Sequence, residues 1–130
     1  FSLLLLLAYG FLRKIFEVFE KYRTPIDMIT TSEVAVSLTI DHDIHLKEII
    51  QELEPFGTVE VDANHTIVSV VGNEINAAHD VMQKIFTALQ HVPVRMVSYG
   101  GSHHNVSLLV PRNEKENTLR LLNKGLFGLD

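Results

Sequence analysis

The residues best placed for chemistry lie near the start of the chain. Ala8-Tyr9-Gly10-Phe11-Leu12 reads as a strand-to-helix junction. A glycine there lets the backbone approach a ligand closely, and the free amides of the first helical turn can hold a carboxylate. The next strand opens at Pro25-Ile26-Asp27, where Asp27 stands beside an apolar segment and can pair with an ammonium group. The turn Thr30-Thr31-Ser32-Glu33 adds hydroxyls and a second carboxylate. Together these suit a zwitterionic amino acid with an extra positive end. The same residues also read as a tight turn, a solvated acid and an ordinary polar hairpin. Both readings stand at this point.

Other chemistries find no support. Gly100-Gly101 lies between strands, not before a helix, so no phosphate-binding loop is present. No nucleophile-elbow pattern surrounds a serine. His42 and His45 sit with Asp41 and Asp43 and read as a polar loop capping a helix. His103 and His104 are adjacent, so a strand would point them to opposite faces, and no metal is expected there. Cysteine is absent, which excludes disulfides and thiolate sites and fits a reducing compartment. The net charge of −5 repels phosphate backbones and anionic membrane surfaces. An RNA-binding module of this topology stacks bases on strand aromatics, but Val34, Val36, Leu38 and Ile40 take those places. A small phosphatase of the same topology needs an arginine in the loop after the first strand, whereas Arg13 lies within the predicted helix. No catalytic residue, metal or cofactor is expected.

The elements that position these residues follow from composition and periodicity. The 46% hydrophobic and 21% charged residues are ordinary for a globular chain of 130 residues. The leucine run Leu3 to Leu7 is far shorter than the roughly 20 residues of a membrane span and reads as a buried central strand, Ser2 to Ala8. Phe11, Leu12, Ile15, Phe16, Phe19 and Tyr22 recur at helical spacing, ended by Thr24-Pro25. Ile26 to Ile29 reads as a strand, and Val34 to Ile40 alternates as another. Asp43 can cap a helix carrying Leu46, Ile49, Ile50 and Leu53, and Thr58 to Asp62 is a closing strand.

The order then begins again. Thr66 to Val71 is a strand, and Asn73 or Asn76 can cap a helix carrying Met82, Ile85, Phe86 and Leu89. Pro93 to Tyr99 and Asn105 to Val110 are strands, and Asn113 with Glu116 has the form of a capping box before a helix carrying Leu119, Leu122 and Leu126. Lys14-Ile15-Phe16 recurs as Lys84-Ile85-Phe86, and Val36-Ser37-Leu38 as Val106-Ser107-Leu108. Pro25 and Met28 find their match in Pro93 and Met96, so the period is about 70 residues.

The fold class is therefore α+β. Two ferredoxin-like βαββαβ units are expected, residues 1–63 and 64–130, each an antiparallel four-stranded sheet with helices on one face. The second unit lacks its last strand within this chain. That strand is expected from residues preceding Phe1 in a parent protein, or from a partner molecule. The first half holds 5 basic and 11 acidic residues, net −6, and the second 6 and 5, net +1. A cationic ligand belongs with the first half.

Gly10-Phe11-Leu12 through Ile15-Phe16, with Ile26-Asp27-Met28-Ile29-Thr30-Thr31-Ser32-Glu33-Val34, resembles the tandem ACT regulatory region of aspartokinases. Val70-Val71-Gly72-Asn73, Ile85-Phe86 and Val94-Arg95-Met96-Val97-Ser98-Tyr99-Gly100, with Ser102, His104 and Asn105, resemble its second ACT unit. The resemblance covers essentially the whole chain and is nearest the lysine-sensitive type. It implies a cytoplasmic parent enzyme that phosphorylates aspartate with ATP, and a regulatory region that binds an end-product amino acid, lysine with threonine as the alternative. It implies a homodimer through ACT units, the parent's kinase domain as a partner, and no role for nucleic acid or membrane. By position it implies ligand contacts at Leu5, Ala8, Gly10, Phe11, Leu12, Pro25, Ile26 and Asp27, with Ser32 and Glu33 from the turn. Ala8-Tyr9 and Pro25 depart from the more polar residues common in that family. An ACT-type dimerisation module without a ligand is the competing expectation.

Overall fold

The computed structural model describes residues 1–7, 11–32, 34–72, 80–99 and 105–128. The chain divides into two compact units, Phe1–Ala63 and Asn64–Asp130. Unit 1 runs β1 (Ser2–Leu7), α1 (Phe11–Lys21), β2 (Met28–Thr31), β3 (Ala35–Thr39), α2 (Leu46–Leu53) and β4 (Gly57–Asp62). Its sheet has the order β2-β3-β1-β4, and every pairing is antiparallel. This is the ferredoxin-like arrangement.

The leucine run is central because β1 has a partner on each side. Leu3 lies opposite Leu38 and Val61, and Leu5 opposite Val36 and Val59. Leu3, Leu5, Val36 and Leu38 are wholly buried, packed with Phe11, Ile15, Val18 and Phe19 of α1 and Ile49 and Leu53 of α2. Each such burial contributes about 1.5–3 kcal/mol, so this layer dominates over exposed ion pairs such as Arg13–Glu17. The α1 stripe differs from the predicted one. Val18 is buried, while Leu12 and Phe16 stay exposed. The apolar arc of α1 is wider than the face its own sheet covers.

Three boundaries also differ. Strand β2 begins at Met28, not Ile26, and runs through Thr30 and Thr31, which pair with Ser37 and Val36. These β-branched residues extend the strand, so the turn shortens. Helix α1 ends before Pro25 by its own hydrogen bonding. The Thr24 N–H donates to the Phe19 carbonyl and the Arg23 N–H to the Glu20 carbonyl, with Arg23 left-handed at φ 49°. That is the paired-bond helix stop in which glycine usually stands. Asp43 makes no side-chain cap. Its backbone carbonyl accepts the Leu46 N–H, and His45 is the residue before α2.

Unit 2 runs β5 (His65–Val71), α3 (Val81–Ala88), β6 (Met96–Ser98), β7 (Asn105–Pro111) and α4 (Lys115–Phe127). Its sheet has three strands in the order β5-β7-β6. Val68, Val70, Val106, Leu108 and Val110 form its inner face under Ile85, Leu89 and Leu122. In unit 1 the inner strand β1 has β4 on its outer side. Among the described residues β5, its counterpart, has no such neighbour, so one strand is missing at that edge. The expected capping box is not formed. Arg112–Glu114 makes a turn of 3-10 helix, and α4 follows Glu114 with no side-chain cap. Asn73 and Asn76 lie outside the described residues. Among the described residues no helix is long and apolar enough to cross a membrane.

Helices α3 and α4 touch at Gly125, where an added Cβ would lie 2.8 Å from the Ala88 Cβ. Gly125→Ala should therefore destabilise unit 2. Overpacking costs about 1–3 kcal/mol, and the better helix propensity of alanine returns only about 1 kcal/mol. Arg23→Gly should act oppositely and stabilise unit 1 by on the order of 1 kcal/mol, since it relieves a left-handed residue. Thermal denaturation followed by circular dichroism measures both. A rise in melting temperature for Gly125→Ala, or a fall for Arg23→Gly, contradicts these assignments.

Candidate functional site

Asp27 sits at the mouth of unit 1, one residue before β2. Two bonds to one residue fix it there. Its N–H donates to the Thr39 carbonyl at 2.9 Å, and the next N–H, that of Met28, donates to the Thr39 hydroxyl at 3.0 Å. Thr39 is 2% exposed, so the bonds are shielded from competing water. The Asp27 side chain itself stays exposed. Partial burial raises its pKa above the usual carboxylate value, and repulsion from and hydrogen bonding with Asp41 raise it further, against smaller opposing effects of His42 and the amino terminus. Two carboxyl groups thus share one corner of the sheet, and a cation placed there relieves both.

The predicted contact residues fall into three groups. Pro25 and Ile26 line a groove of about 550 Å³ with Phe16, Phe19, Glu20, Arg23 and Thr24. Asp27 adjoins it in sequence, and Leu12 is exposed on α1, one helical turn before Phe16. Leu5 and Phe11 form the second group. Leu5 is fully buried between two partner strands, and the Phe11 ring is 3% exposed, tilted against Phe56 at 5.9 Å between centroids. Their side chains belong to the core. What Phe11 can offer a ligand is its amide at the start of α1.

Ser32 forms the third group. It is exposed beyond the far end of β2, with its N–H bonded to the Ala35 carbonyl at 2.8 Å. Five residue steps along extended chain separate it from Asp27, about 17 Å, too far for both to hold one amino acid within one chain. Ala8, Gly10 and Glu33 lie outside the described residues.

Two residues of this corner are missed by sequence reasoning. Asp41 groups there with His42, and Thr39 is one polar position of an alternating strand. The pairing register sets Met28 opposite Thr39, which brings Asp27 opposite Ile40 and next to Asp41. A register derived from the hairpin length would have found both. Among the described residues no three His, Asp or Glu side chains gather to hold a metal. His103 and His104 lie outside them.

Comparison with known proteins gives this geometry a family. Residues 68–126 match the sequence profile of an ACT domain. A solved protein from Porphyromonas gingivalis W83, described as a C-terminal regulatory domain of aspartate kinase, is 42% identical, with a TM-score of 0.84, covering 97% of this chain and 91% of that one. Lysine-sensitive aspartokinase 3 of Escherichia coli K12 is 33% identical over 97% of this chain and 30% of its own length. The structure of E. coli aspartokinase III in complex with lysine and aspartate gives a TM-score of 0.80 at 34% identity, covering 97% of this chain and 31% of that one. The chain thus spans less than a third of the full-length enzymes it matches and corresponds to their non-catalytic part. Two ferredoxin-like units, an ACT profile over the second and a relative matched almost end to end place this chain in the family of tandem-ACT regulatory regions of aspartokinases.

Proposed function

We propose that this chain is the amino-acid-binding regulatory region of a cytoplasmic aspartokinase. Lysine is its ligand, held between the first units of two paired copies, and binding lowers the ATP-dependent phosphorylation of aspartate by the parent's kinase domain. The observation that carries this reading is Asp27, an exposed carboxylate on backbone that Thr39 holds in place, set against Asp41. An ammonium group is the partner that satisfies it. Two neighbouring carboxyls favour a ligand with two ammonium groups, lysine, over threonine, which has one. The lysine-sensitive E. coli relative, whose solved structure holds lysine, supports the choice.

The separation of Ser32 from Asp27 supports the pairing. A two-fold axis at the β2 edge runs the two β2 strands antiparallel, which sets Ser32 of one copy beside Asp27 of the other. Exposed Leu12, Phe16 and Ile29 supply the apolar wall such a contact needs. The amide at Phe11 and its helix start then suit the ligand's carboxylate.

Lysine should raise the melting temperature of the chain in a thermal-shift screen of the twenty amino acids, by about 2.7 kcal/mol of stability at a hundredfold excess over Kd. Equal melting with and without lysine and threonine would leave a dimerisation module only. Asp27→Asn should weaken lysine binding by on the order of 2 kcal/mol, about 30-fold, in calorimetry. The ligand-free chain carries the opposite mark. A raised carboxyl pKa favours the folded state below the usual value of 3.8, and this advantage is lost as pH rises through the folded value. Without lysine, Asp27→Asn should therefore melt higher than the unaltered chain at neutral pH, with the gap closing in acid. A gap that widens in acid contradicts the assignment.

A further inference from the structure

The groove beside α1 has a chemistry of its own. Its floor is apolar, formed by Phe16, Phe19, Pro25 and Ile26, and Phe16 is 47% exposed. Its rim carries one charge of each sign, Glu20 and Arg23. The helix stop holds the two together. The Arg23 N–H donates to the Glu20 carbonyl at 3.0 Å, with Arg23 left-handed at φ 49°. The ion pairs Arg13–Glu17 and Lys21–Glu52 on the same helix leave both rim residues out. Thr24 is committed elsewhere, since its hydroxyl donates to the Tyr22 carbonyl at 3.2 Å. The charged groups that act on Asp27, namely Asp41, His42 and the amino terminus, do not line the groove.

We propose that this groove is a second ligand site, separate from Asp27, for an amino acid with a large apolar side chain such as phenylalanine or leucine. The Arg23 guanidinium takes the carboxylate, the Glu20 carboxylate takes the ammonium group, and the side chain lies on Phe16, Pro25 and Ile26. Opposite charges on bonded backbone match a zwitterion, whose own two charges flank a single carbon. The groove volume, about 550 Å³, is that of a small-molecule site. The floor sets the specificity. A lysine side chain would set its second ammonium group over carbon and lose hydration there, and alanine would leave the floor uncovered. Phe16 is shared with the wall proposed to pair unit 1, but Glu20, Arg23 and Pro25 are not. The proposal adds a ligand to the reading above and holds whether or not lysine is the first.

Calorimetry on the unaltered chain tests this. Phenylalanine and leucine should each bind, alanine should not, and saturating lysine should leave phenylalanine bound. Arg23→Gln keeps much of the side-chain length and removes the charge, and should weaken phenylalanine binding by about tenfold or more. Glu20→Gln should act in the same direction, and the circular dichroism of each variant shows that it is folded. Absence of binding by both phenylalanine and leucine overturns the proposal. So does lysine that displaces phenylalanine molecule for molecule, which would make the groove part of the Asp27 site. Folded Arg23→Gln and Glu20→Gln variants that bind phenylalanine as tightly as the unaltered chain overturn it as well. The thermal shift given by lysine alone decides the earlier reading in a separate arm, so either reading can fail by itself.

Discussion

Two helices lie over each sheet, and in neither unit do they cover the far edge strand. The rest of the functional reading depends on this shortfall. Ile29 and Val97 take inward-facing positions on β2 and β6 and are still more than a third exposed. Burying a branched side chain contributes about 1.5–3 kcal/mol, and here the chain leaves that contribution unrealised twice at equivalent positions. A lone exposed apolar residue is ordinary. The repetition, beside an equally exposed phenylalanine on each neighbouring helix, sets these positions apart from such a lone residue.

Much of this architecture is legible in the sequence because burial writes itself into spacing. The run Leu3 to Leu7 reads as a central strand, and β1 is flanked on both sides. The alternation of Val36 and Leu38 marks the inner face of β3, and the repeat near 70 residues with one element missing predicts two sheets of unequal size. Other features are not legible, for separate physical reasons. Leu12 and Phe16 read as core because helical periodicity reports that a face is apolar, not whether its cover comes from the same chain. The helix starts differ because backbone carbonyls and short 3-10 turns replace the side-chain caps that Asp43, Asn113 and Glu116 suggest. The start of β2 slips because Ile26 is apolar enough for a strand, whereas the ladder begins where Met28 meets Thr39.

The candidate site shows the same division. Asp27 stands out in the sequence as an acid beside an apolar segment. Its partner Asp41 is 14 positions away and becomes a neighbour only through the register of β2 on β3. Leu5 and Phe11, by contrast, stand close to the site in sequence and are turned into the core. Proximity along the chain names the right elements, while the pleat decides which side chains of those elements face outward.

Charge joins the two halves of the argument. Unit 1 carries net −6, so bringing two such units together sets acidic surfaces close, and the Asp27–Asp41 corner is part of that load. A cation bound at that corner lowers the repulsion where pairing would otherwise raise it. On the proposed reading, ligand binding and pairing become one linked equilibrium. Whatever factor lysine adds to the association of two copies, association adds to the affinity for lysine. Unit 2, at net +1, carries no comparable load. On the proposed reading, the acidic unit 1 is the one whose pairing a bound cation can change.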